Sequence, residues 1–136
     1  MNPEVGMRAA ALDSVVGHAR EASPCECCGL LLGRRGDIAE VFRARNIADE
    51  PESRFLIEPA DHFAARRAAR TLGLDVVGFY HSHPRSPAEP SGRDRAEFSY
   101  AGHLYLIVSV RAEPAEVGLF QFDAGNFQRL SFVTVA

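Results

Sequence analysis

A mixed α/β or α+β fold, one sheet flanked by at least two helices, is what this sequence predicts. Three observations carry the prediction. Short apolar runs bounded by glycine or turn residues recur at Cys27–Gly33, Val76–Tyr80 and Leu104–Val110; runs this short read as buried strands rather than helices. Two longer segments carry helix start and stop signals, Asp13 to Glu21 and Pro59 to Gly73. Two C-terminal segments, Val117–Phe122 and Phe127–Val135, flank the turn sequence Asp123-Ala124-Gly125-Asn126 and read as a hairpin. Together they predict a single mixed, mostly antiparallel sheet packed between helices.

Composition sets the frame. The 136 residues suit one domain over 1–136, and 46% hydrophobic with 24% charged residues is ordinary for a globular protein with a real core. The net charge of −3 argues against non-specific nucleic-acid binding, which relies on excess Lys and Arg. No basic segment followed by a long apolar stretch opens the chain, and no run approaches the roughly 20 residues a membrane span needs. The expectation is a cytoplasmic protein with neither nucleic acid nor membrane as partner; a homodimer is left open. Cys25, Cys27 and Cys28 are odd in number and bunched, which predicts reduced thiols rather than a disulfide framework.

Taken in order, Met7–Leu12 reads as a short strand or a helix lead-in. Asp13 is the expected N-cap of a first helix, with Val15, Val16 and Ala19 inward, ended by Pro24. Cys27–Gly33 is a buried strand. Asp37–Asn46 is its antiparallel partner across Arg34-Arg35-Gly36, and Arg54–Ile57 is another short strand. Pro59 opens the second helix with Asp61 in its first turn, and Gly73 closes it. Phe63, Ala64, Ala68 and Leu72 are the expected buried stripe, with Arg66, Arg67 and Arg70 outward. Asp75–His83 is a central strand. Three prolines between Pro84 and Pro90 forbid regular structure there. Ser91 then caps a short helix through about Tyr100, followed by the strand Leu104–Val110.

The chemistry concentrates after the central strand. Residues two apart on a strand face the same way, so His81 and His83 project together from its C-terminal end. The proline loop returns the chain, after ten intervening residues, to Asp94. Two imidazoles and one carboxylate, with a fourth position open for water, suit a catalytic zinc ion, which lowers the pKa of that water towards ~7. The plain alternative is two loop-mouth histidines and a first-turn acid favoured by the helix dipole. It must also account for the apolar strand ending in the pair, the rigid loop and the well-spaced acid.

His81-Ser82-His83, seven residues, Ser91, two residues, Asp94 resembles the JAMM motif of the metal-dependent MPN domain at every fixed position. That family also has a glutamate just before a buried Gly-Leu-Leu strand, the place held here by Glu26. The resemblance extends from Asp13 to Val110 and implies an MPN, cytidine-deaminase-like architecture. It implies one zinc ion on His81, His83 and Asp94, with Glu26 as general base and Ser91 as a hydrogen-bond donor to the oxyanion. A helix N-cap is the other role open to Ser91. Ser82 faces away from the histidines and reads as a supporting residue rather than a nucleophile.

The stretch Glu-Cys-Cys-Gly-Leu-Leu-Leu-Gly and the Tyr-His-Ser-His-Pro strand resemble compact prokaryotic members of that family. For these the implied partner is a small ubiquitin-like or sulfur-carrier protein, cut after its C-terminal Gly-Gly, with an extended tail laid at a sheet edge. Two other readings compete: a metal-free MPN scaffold, and a zinc hydrolase of small amides or nucleobases. The complete ligand set argues against the first. Pro24-Cys25-x-x-Cys28 matches half of a zinc deaminase signature, but the His-x-Glu that must precede it is missing, since Ala19 and Arg20 follow His18. Cys27 and Cys28 are expected on opposite faces of their strand, and Cys25 could serve a redox role. His18, His62 and His103 read as bland, and Arg85 and Glu89 as loop residues near the site.

Overall fold

The computed structural model describes residues 4–92, 94 and 102–136. Its elements in chain order are β1 (Val5–Arg8), α1 (Ala9–Ala22), β2 (Cys28–Arg34), β3 (Asp37–Ala44), α2 (Pro59–Leu72), β4 (Asp75–His83), β5 (Leu104–Ser109), β6 (Glu116–Asp123), β7 (Asn126–Leu130) and β8 (Phe132–Val135). The strands form one sheet in the order β7-β6-β5-β4-β2-β3-β1-β8. It is mixed: β2 pairs antiparallel with β3 and β4, and β6 with β5 and β7, whereas β4–β5, β1–β3 and β1–β8 are parallel.

The two outermost strands, β7 and β8, are separated in sequence by Ser131 alone. The sheet must therefore curl until its ends approach, and the Val5 N–H donates to the Ser131 carbonyl at 3.2 Å. This splits the expected Phe127–Val135 strand in two. Its first half completes the hairpin with β6, and its second half adds to β1 at the far edge.

Alternation along the strands sorts the core into two layers. Leu31, Tyr80, Leu106 and Val108 join Val15 and Ala19 on the α1 face. Leu30, Leu32, Phe79, Tyr105 and Ile107 join Ala65 and Ala69 on the α2 face. Cys27 and Cys28 fall on opposite faces, as expected. Each leucine side chain fully buried this way contributes on the order of 1.5–3 kcal/mol.

Three local expectations are corrected. The first helix begins at Ala9, not Asp13; Arg8 is its N-cap and provides no side-chain bond, because β1 delivers the chain directly into the helix. Arg54–Ile57 is not a strand but is held by one isolated bridge, Asn46 to Ile57. The stripe of α2 is shifted by one residue: Ala65 and Ala69 are fully buried while Phe63 is 67% and Leu72 58% exposed. Small alanines let the helix approach the sheet closely, and the phase follows that packing rather than side-chain size. The ends of α2 are as expected, with Pro59 in the first turn, the Glu58 side chain accepting from the Asp61 N–H, and Gly73 left-handed. Most of the short helix expected from Ser91 to about Tyr100 lies outside the described residues.

One glycine controls the central pairing. A Cβ on Gly29 would stand 2.3 Å from the Tyr80 ring and 2.5 Å from the Phe42 carbonyl oxygen. Gly29→Ala is expected to destabilise the fold by roughly 1–3 kcal/mol through overpacking, read as a lower urea midpoint. An unchanged midpoint would contradict the close approach of β2, β3 and β4.

Candidate active site

Strand β4 delivers the histidines. It is central, paired with β2 on one side and β5 on the other, and every residue from Gly78 to His83 is buried. His81 and His83 share the α2 face with Phe79. Beyond them the chain leaves the sheet, and its loop is pinned from several directions. The Ser109 hydroxyl donates to the Ser86 carbonyl at 2.6 Å, and the Val110 N–H donates to His83 O at 3.2 Å. His83 Nδ1 lies 2.7 Å from the Pro87 carbonyl. A proton on Nδ1 satisfies that contact and leaves the Nε2 lone pair for a ligand, the usual support for a metal-binding imidazole.

Asp94 comes to the same point by a capping box. The Ser91 hydroxyl accepts from the Asp94 N–H at 3.0 Å, and Asp94 Oδ2 accepts from the Ser91 N–H at 2.8 Å. The N-cap role considered for Ser91 is therefore realised. Its O–H proton remains oriented by no bond within that box.

The three donor atoms form a near-equilateral triangle. His81 Nε2 and His83 Nε2 are 3.1 Å apart, and each is 3.2 Å from Asp94 Oδ2. Donors about 2.0–2.1 Å from a tetrahedral zinc ion stand roughly 3.3–3.4 Å from one another. All three residues are buried. Converging lone pairs of two imidazoles and a carboxylate repel one another unless a cation or proton sits among them, so the donor set fits a divalent metal by both spacing and chemistry. Burial alone would raise Asp94, but the hydrogen bonds to His81 and His83, with the His81 charge and the Ser91 N–H, hold its carboxyl well below the usual range. Burial would lower His83; the hydrogen bonds to Asp94 and Pro87, then the Asp94 and Glu26 charges, leave it raised instead.

Glu26 is also buried, at 6% exposure. The last β2–β4 pair is Cys28 with His81, and the strands go on binding past it. Ser82 N–H donates to Cys27 O at 3.1 Å, and the Ser82 hydroxyl accepts from Cys27 N–H at 2.8 Å. Glu26 lies two residues before Cys28, and its charge acts on His83. Ser82 is thus a supporting residue, as expected.

Two contributors were not anticipated. Phe55 stacks on His81, with ring centroids 4.5 Å apart and planes 22° apart. Behind the sheet, Tyr80 OH lies 2.8 Å from His18 Nδ1, tying β4 to α1. His62 and His103 both contact the Phe79 ring. A Phe followed by an apolar residue in a polar loop was the available signal for Phe55; nothing local pointed to His18. Cys27 faces α1, and Cys28 Sγ lies 3.6 Å from Arg45 O. Among the described residues, the group able to hold a metal is His81, His83 and Asp94.

Fold and site together define a JAB1/MPN-type domain with a residue group able to hold a metal ion. The family described as prokaryotic homologs of the JAB domain matches residues 8–123, and the chain belongs to it. A desampylase from Haloferax volcanii is 39% identical over 112 residues, covering 77% of this chain and 80% of the relative. A probable TtuB-protein conjugate cleaving protease from Thermus thermophilus is 35% identical over 86 residues, 63% of this chain and 57% of that protein. A CysO-cysteine peptidase from Mycobacterium tuberculosis is 29% identical over 106 residues, 77% and 73% of the two chains. Among solved structures, a protein from Desulfitobacterium hafniense superposes with a TM-score of 0.84 at 29% identity, covering 96% of this chain and 92% of the other. A JAB1/MPN domain protein from Archaeoglobus fulgidus, at 20% identity and TM-score 0.63 over the whole of both chains, shares the fold. By family, the chain is a JAMM-type hydrolase.

Two measurements check the site. Asp94→Ala is expected to lose most of the bound metal, read by elemental analysis after dialysis; full retention would exclude the triad. Burial pushes the Cys27 thiol up to about 11 and, with the Cys27 charge, Cys28 to about 12, whereas Cys25 is half-exposed. Both buried groups stay protonated below those values, so iodoacetamide at mildly alkaline pH should modify Cys25 alone in the native protein and all three in denaturant.

Proposed function

We propose that this chain is a zinc-dependent peptidase or isopeptidase that hydrolyses the bond after the C-terminal Gly-Gly of a small ubiquitin-like or sulfur-carrier protein. The observation that carries the reading is the donor triangle of His81, His83 and Asp94 with a buried carboxylate, Glu26, just before β2, whose charge acts on His83. Relatives named as a desampylase, a probable TtuB-protein conjugate cleaving protease and a CysO-cysteine peptidase support the reading.

His81, His83 and Asp94 would hold the ion, which supplies Lewis-acid polarisation of water and of the scissile carbonyl. Glu26 accepts a proton from the attacking water and returns it to the leaving amine. A positioned carboxylate is suited to that exchange. Ser91 Oγ already accepts the Asp94 N–H, so its remaining proton can be donated to the oxyanion of the tetrahedral intermediate. The same serine thereby fixes a ligand and stabilises developing charge. An extended carrier tail would bring its terminal carbonyl to the open side of the triangle, with its main chain supplying affinity.

Glu26→Gln should keep one metal ion per chain and lose turnover of a carrier extended beyond Gly-Gly. Retained turnover would remove Glu26 from the role of base. Ser91→Ala should lower kcat by on the order of a hundredfold if the hydroxyl stabilises the oxyanion. A fully active but less stable Ser91→Ala protein would assign the residue to capping alone.

A further inference from the structure

The segment between β3 and α2 is organised by one side chain. Asn46 Nδ2 donates to Glu26 O at 3.0 Å and to Arg54 O at 3.1 Å. Its Oδ1 accepts from Ala48 N–H and from Leu56 N–H, both at 3.0 Å. Two donor and two acceptor bonds exhaust what an amide forms in the common case. Two of these partners, Arg54 and Leu56, flank Phe55, the ring stacked on His81. The Glu26 main chain is further held by its own N–H, which donates to Pro51 O at 2.7 Å within the same segment.

We infer that Asn46 is a positioning residue that sets the carboxylate of Glu26 and the imidazole of His81 relative to one another. One arm of its amide grips the main chain of Glu26. The same amide grips the residues on either side of Phe55, which braces the His81 ring. The segment that carries Phe55 has only a short ladder of its own, the isolated bridge from Asn46 to Ile57 flanked by the bonds from Ile47 N–H to Leu56 O and from Glu58 N–H to Arg45 O. The side chain of Asn46 adds to that short ladder. Because the amide is rigid and planar, a shift of the segment carries Glu26 and Phe55 together. The catalytic part of this inference rests on the role proposed above for Glu26; the geometric part does not.

The test compares the zinc-loaded 136-residue chain with Asn46→Asp and Asn46→Ala. Asn46→Asp keeps both acceptor bonds and removes both donors; Asn46→Ala removes all four without adding charge. Against a sulfur-carrier protein extended beyond Gly-Gly, each is expected to keep one zinc per chain and a KM within about twofold, while kcat falls roughly tenfold to a hundredfold. Unchanged kcat in either variant overturns the inference, as does a loss confined to KM. Side-chain NMR of Glu26 and His81 provides the readout that needs no turnover. Both should shift in the variants, whereas shifts confined to the 46–57 segment would overturn the inference. If wild type cleaves no carrier, the peptidase reading fails and the NMR comparison alone decides on Asn46. Should the variants not fold, amide exchange in wild type decides: Ala48 and Leu56 must be protected, and unprotected amides there contradict the network.

Discussion

The antiparallel register between β2 and β4 is the constraint on which the site depends. Cys28 stands opposite His81, and Ser82 carries the pairing one step further through Cys27. Strand side chains alternate, so a slip of one residue would turn His81 and His83 towards α1 and Glu26 away from them. Several features oppose that slip. Leu30 and Leu32 fill one core layer and Leu31 the other. Gly29 admits the Tyr80 ring at a distance no side chain would allow. Tyr80 in turn meets His18 on α1. The hydrophobic layers thus fix the polar geometry.

Burying two imidazoles and two carboxylates in one corner of a sheet is costly unless each is paired, hydrogen-bonded or bound to a metal. The surrounding structure provides those partners in layers. Pro87 orients His83, Ser91 orients Asp94, Phe55 covers His81, and Asn46 with Pro51 fixes the Glu26 main chain. The proline loop, anchored by Ser109 at Ser86, closes the corner without needing regular structure of its own. A divalent ion at the centre would complete this arrangement by removing the repulsion among the three donors.

Much of this is legible in the sequence. His81, His83 and Asp94 are read from local spacing on a strand and a return loop, which the structure preserves. The caps of α2, the turn after β2 and the opposed faces of Cys27 and Cys28 are likewise local. What was not legible depends on contacts between distant segments. The phase of α2 follows how closely Ala65 and Ala69 approach the sheet, which intrinsic side-chain size does not reveal. The split at Ser131 follows from curling of the whole sheet. Asn46 and Phe55 read from the sequence as strand residues, whereas the structure gives their segment only an isolated bridge, and His18 reads as an ordinary helix residue. Their roles arise largely from partners on other segments, His81 for Phe55, Glu26 for Asn46 and Tyr80 for His18, beyond the reach of periodicity.

The central claim is that this corner hydrolyses an acyl bond at the end of a carrier tail. The most direct measurement is intact-mass analysis of a sulfur-carrier protein extended beyond Gly-Gly, incubated with the zinc-loaded chain in oxygen-18 water. The account predicts release of the extension and one heavy oxygen in the new glycine carboxylate, with no label and no release after chelation. An intact carrier in the presence of demonstrably bound zinc would contradict it.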